Sequence, residues 1–68
     1  MKLKSDIKDW QIARDVLGRN TQKECKIIKE LRKSVDSEEV CEGWWMLRTQ
    51  EQVDKDEVGW LIPIEYLE

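Results

Sequence analysis

Taken alone, the residue pattern predicts a helical hairpin in the first half and a β-hairpin in the second half of one small domain. Three observations carry that expectation. Apolar residues in the first half recur at spacings of three and four, the period of one face of a helix. The second half changes to short aromatic-rich runs separated by a charged stretch, the composition of strands and a loop. A length of 68 residues, 40% apolar and 40% charged, allows one hydrophobic core and no second.

The elements follow in order. Residues 1–8 read as a disordered or extended leader to a single domain spanning 1–68. Ile7, Trp10, Ala13 and Leu17 then fall at intervals of three, three and four, with Val16 alongside, and Gly18 follows as a C-cap. A second run begins at Thr21 and Glu24, which have the spacing of a capping box, and continues through Cys25, Ile28, Leu31 and Val35 on one face. Trp44–Thr49 and Val58–Ile62 are strand-like, and the polar residues 50–57 between them suit a loop. Pro63 cannot donate to a sheet ladder, so it ends the second strand before Ile64-Glu65-Tyr66-Leu67.

Composition excludes several chemistries. Histidine is absent, which removes the commonest general base and metal ligand, and Cys25 and Cys41 alone cannot complete a zinc site. No enzyme activity, metal or cofactor is expected, and both thiols read as buried, small apolar side chains. Gly18, Gly43 and Gly59 are scattered and form no phosphate loop. The longest apolar runs, Trp44–Leu47 and Trp60–Ile64, fall far below the roughly 18 to 20 residues that span a bilayer, and the start MKLKSDIKDW lacks a signal core. The chain therefore reads as soluble and cytoplasmic, with no membrane partner.

The net charge of −3 hides a division. Residues 1–35 hold ten Lys and Arg against five acids, and residues 36–68 hold two against ten, so +5 faces −8. A basic half attracts nucleic acid, but an acidic half on so small a body cancels much of that field.

Glu42-Gly43-Trp44-Trp45, followed by Gly59-Trp60-Leu61-Ile62-Pro63-Ile64-Glu65-Tyr66-Leu67-Glu68, resembles the second half of a Src-homology-3 domain. In that family a Trp-Trp pair opens a strand and a Pro-x-x-Tyr turn leads into the last one. The first half is laid on the same pattern with Ile12–Val16 as the opening strand motif, where Arg14 and Val16 replace two groove tyrosines. The resemblance implies an all-β fold, a small barrel, and this is the fold class expected here, with the α+β arrangement as its alternative. It also implies an adaptor module that binds a proline-rich or extended peptide segment of a protein partner, weakly because two tyrosines are replaced. Trp44 would wall the groove and donate its indole N–H to a peptide carbonyl, Pro63 and Tyr66 would line a proline slot, and Glu38, Glu39 and Glu42 would pair with a basic residue of the ligand. Glu24 is a lesser acidic candidate.

Trp10-Gln11-Ile12-Ala13, Leu17-Gly18-Arg19-Asn20-Thr21 and Cys25 are similar to the last two helices of a Myb or SANT-type helix-turn-helix. That likeness implies a winged, DNA-binding alternative in which Lys23, Lys26, Lys29, Arg32 and Lys33 supply phosphate and base contacts. Glu51, Asp54, Asp56 and Glu57 on its wing would repel phosphate.

Overall fold

Helix α1 (Asp9–Asp15) opens where the Gln11 side chain turns back to accept a hydrogen bond from the Lys8 backbone N–H at 3.0 Å. It closes as Arg19 N–H reaches the Ala13 carbonyl at 2.9 Å, past Gly18, whose φ of +71° suits the left-handed backbone there. Helix α2 (Gln22–Glu30) starts at Thr21, but the Thr21 side chain makes no capping bond. Glu24 pairs instead with Arg19 at 2.9 Å. A 3-10 turn (Leu31–Lys33) leads to strand β1 (Val35–Cys41), then β2 (Trp44–Thr49), helix α3 (Gln50–Asp54), β3 (Trp60–Pro63) and a last 3-10 turn (Ile64–Tyr66). The computed structural model describes residues 2–19, 21–33 and 35–68. No helix among them is long and apolar enough to cross a membrane.

The all-β barrel expectation is overturned. Three helices stand beside a three-stranded antiparallel sheet of order β1-β2-β3, an α+β architecture. Ile12–Val16, which the resemblance laid on a strand, are α1 and its C-cap. The physical reason is burial: Ile12 and Ala13 are adjacent and both buried, whereas neighbours on a strand point to opposite faces. The α+β alternative was nearer but incomplete. Val35, assigned to a helical face, opens β1, and residues 50–54, assigned to a loop, are helical. Thr49 and Gln52 form a reciprocal capping box for that helix: Thr49 Oγ1 accepts from Gln52 N–H at 3.1 Å, and Gln52 Oε1 accepts from Thr49 N–H at 2.8 Å.

The core gathers Leu3, Ile12, Ala13, Cys25, Ile28, Leu31, Leu47, Ile62, Tyr66 and Leu67, with Trp45 and Trp60 packed against it. In α2 the face is the expected one, but in α1 it is rotated, since Ile12 is buried and Trp10 is 57% exposed. Two residues along a helix are about 200° around it, so burying Ile12 turns Trp10 to solvent. The N-terminal segment is docked: Leu3 bridges Leu67, Lys4 N–H donates to the Tyr66 carbonyl at 2.9 Å, and Glu68 N–H donates to Lys2 at 2.9 Å.

Candidate functional site

The register of the sheet decides which side chains reach solvent together. Trp45 opposes Ile62 and Leu47 opposes Trp60 on the core face, so Trp44 opposite Pro63 and Met46 opposite Leu61 lie on the other face. Adjacent strand residues alternate sides, and the two tryptophans divide accordingly. Trp44 is 37% exposed, while Trp45 is half-buried against the core. β1 adds Glu38 opposite Met46, and Asp36 opposite Arg48, to the outer face. The latter two form a salt bridge at 2.6 Å.

Two local features hold the Trp44 end of this face. The β1–β2 turn is made by Glu42 and Gly43, and Gly43 takes a φ of +80° that few residues but glycine adopt. Its carbonyl accepts from Ile64 N–H at 2.8 Å, which ties the turn to the chain just beyond Pro63. Further along, Gly59 lets β3 approach β2, because a Cβ there would lie 1.9 Å from the Leu47 carbonyl oxygen. Beside the turn lies a hollow of about 300 Å³ lined by Gly43, Trp44, Pro63, Ile64 and Glu65.

Of the residues singled out from sequence, Trp44 and Pro63 meet in this hollow and Tyr66 does not. Tyr66 is buried, and its hydroxyl donates to the Asp15 carboxylate on α1. That bond, with burial, pushes the Tyr66 pKa up to about 12. The same bond, with the Arg14 guanidinium, holds Asp15 below its ordinary range. Glu42 sits in the turn next to the hollow, Glu38 lies on the outer face, and Glu39 opposes Trp45 on the other side, so the expected acidic trio is split by strand alternation. Glu38 and Glu39 belong to β1, and Glu42 follows it in the turn. Glu65 and Ile64, which border the hollow directly, were not singled out. Their signal was the Pro63 stop, which forces the following residues into a turn facing the strand end.

The basic candidates on α2 are partly engaged within the fold. Lys29 pairs with Asp9, and Arg32 donates to the Lys4 carbonyl at 2.8 Å. Glu24 is taken by Arg19, Lys23 and Lys26 are exposed, and the Lys33 side chain lies outside the described residues. Cys25 is buried with its thiol donating to the Asp9 carbonyl at 3.3 Å, and burial pushes its pKa up. Cys41, expected inside, is exposed, because it stands at the edge of the sheet beside the turn, opposite Trp44.

A second hollow, of about 360 Å³, lies on the helical half and is lined by Trp10, Ala13, Arg14, Gly18 and Arg19. The Arg14 guanidinium stands 5.1 Å from the Trp10 ring centroid, a cation–π arrangement. Comparison with protein-family models, with curated proteins and with solved structures finds no match for the chain, so the functional reading rests on these residues themselves.

Proposed function

We propose that this protein is a non-enzymatic interaction module that holds an extended, proline-containing segment of a partner protein against Trp44 and Pro63. One observation carries the reading: Trp44 and Leu61 are exposed on the outer sheet face, and half-buried Pro63 and exposed Ile64 line the hollow beside Trp44 with Glu65, Glu42 lying in the adjoining turn. Clustered exposed apolar side chains rimmed by charge are the usual mark of a binding surface. A polyproline II segment suits a flat aromatic wall, since its low conformational entropy lessens the cost of binding. Trp44 would stack on the prolines and donate its indole N–H to a ligand carbonyl, and the acids would pair with a basic residue beside them. The likeness of residues 42–45 and 59–68 to the second half of a Src-homology-3 domain supports the same assignment for those segments. The setting in this reading is cytoplasmic, in keeping with two free thiols.

With Tyr66 drawn into the core, a single aromatic wall remains, so binding is weak, with a dissociation constant on the order of 100 μM or above. Titration of a proline-rich peptide with a flanking arginine, followed by amide chemical shifts, tests the reading. Trp44→Ala is expected to remove the binding while changing stability by less than about 1 kcal/mol. Unchanged affinity in that variant would sink the assignment.

A further inference from the structure

All five ion pairs among the described residues stay within one half of the chain: Arg14–Asp15, Arg19–Glu24 and Lys29–Asp9 in the helical half, Asp36–Arg48 and Glu51–Lys55 in the sheet half. The excess of +5 in residues 1–35 and of −8 in residues 36–68 is therefore not cancelled by pairing across the molecule. Each half also carries one half-open tryptophan beside a hollow of its own sign. Trp10 stands with Arg14 and Arg19, and Trp44 stands with Glu65 and, in the adjoining turn, Glu42.

Tyr66 bonds Asp15, so Arg14, which lines the first hollow, and Glu65, which lines the second, each stand one residue from a single contact between the halves. From this juxtaposition we infer that the chain associates with a second copy of itself about a two-fold axis, the Trp10–Arg14–Arg19 hollow of each copy seating on the Trp44–Pro63–Glu65 hollow of the other. A two-fold contact repeats each interaction, so both hollows of both copies are filled at once.

The arginines retain the donors for this. Arg14 gives only Nε to Asp15 and Arg19 only Nη2 to Glu24, which leaves the rest of each five-donor guanidinium open to a second carboxylate. Their side chains are 69% and 70% exposed, and exposed pairs of this kind are weak enough to rearrange. The occupant is a second copy, because the molecule itself supplies an acidic, tryptophan-bearing surface of the required sign. Self-association does not rest on the peptide reading, although it would cover the same Trp44 hollow.

The test uses sedimentation equilibrium without peptide, at protein concentrations up to about 1 mM, where a Kd of that order is visible. The wild type is expected to dimerise in about 0.1 M salt and to dissociate in about 1 M salt, where screening reaches ~3 Å. Arg14→Glu with Arg19→Glu, and separately Glu42→Arg with Glu65→Arg, should each weaken the homodimer at least about tenfold. An equimolar mixture of the two double variants should recover association as a heterodimer, because both contacts regain opposite charges. Far-UV circular dichroism checks that each variant is folded, and all four changes fall on exposed residues. A wild type that stays monomeric at the highest concentration in low salt, or double variants that dimerise as well as the wild type, would overturn the inference. Peptide titration at micromolar protein, where the chain is monomeric, reports separately on the peptide site.

Discussion

The helical half and the sheet half each contain ion pairs, and none among the described residues joins the two. Some link near neighbours in sequence, as Arg14 with Asp15 and Lys55 with Glu51, and others link separate elements of one half, as Lys29 with Asp9 and Arg48 with Asp36. Between the halves the bonds are apolar packing, the Leu3–Leu67 bridge with its flanking backbone hydrogen bonds, and the Tyr66–Asp15 side-chain bond. Exposed ion pairs contribute roughly 0 to 1 kcal/mol each, whereas a buried aliphatic side chain contributes several times that. Charge patterning thus decides what each surface attracts, and the shared core decides whether the two halves fold at all.

The largest expected effect tests whether the core is shared. Leu47 on β2 and Ile28 on α2 are both fully buried in one cluster. Leu47→Ala and Ile28→Ala should each cost about 2 to 5 kcal/mol, much of what so small a domain possesses. In either variant, helix content followed by far-UV circular dichroism and tryptophan emission should report one denaturant midpoint. Two separated midpoints would mean that the halves fold independently.

A smaller effect is expected at the joint. Tyr66→Phe removes the side-chain bond that crosses between the halves and should cost about 1.5 to 3 kcal/mol, the range for a hydrogen bond to a charged group. The pH dependence sharpens this. Because the folded state raises the Tyr66 pKa from 10.0 to about 12, its contribution is complete below pH 10 and is lost as pH rises through 12. Asp15 lies below its ordinary value of 3.8, so its contribution is complete above that value and is lost as acid protonates the carboxylate. Denaturant midpoints across pH should show the phenol-linked loss above pH 10 in the wild type and not in Tyr66→Phe. Equal alkaline slopes would place the tyrosine outside the joint.

The smallest effect is expected at Trp10, and Trp45 is its counterpart. Trp10 is 57% exposed, and Trp10→Ala at micromolar protein should move stability by no more than about 0.5 kcal/mol. Trp45 packs against the core, and Trp45→Ala should cost up to about 3 kcal/mol. Thermal melts of the two variants side by side would break the comparison if Trp10 proved the costlier.

Legibility of the chain followed the range of the interaction that each residue obeys. The face of α2 could be read because Cys25, Ile28 and Leu31 repeat at helical spacing and are all buried. The α1 face was misread because both Trp10 and Ile12 are apolar, and a seven-residue helix has too few positions for period alone to choose between them. Helix α3 was legible and overlooked: Thr49 followed by Gln52 has capping-box spacing, with reciprocal bonds in the structure. For the site, the exposure of Trp44 beside Pro63 could be anticipated from the Trp-Trp pair and the proline stop. The destination of Tyr66 could not, since its partner Asp15 lies 51 residues away.

By itself the sequence determined the local elements and the charge division: two amphipathic runs, strands at Trp44–Thr49 and around Trp60, a stop at Pro63, and +5 set against −8. Only the tertiary structure decided that β1 pairs with β2, that the chain ends close on each other through Leu3 and Leu67, and that Glu39 parts from Glu38 and Glu42. The physical reason is that helical period, caps and turn residues act within a few positions of the chain. Which tryptophan is covered and which acid reaches a hollow depend on packing between residues far apart, where the burial of one apolar side chain outweighs any local preference.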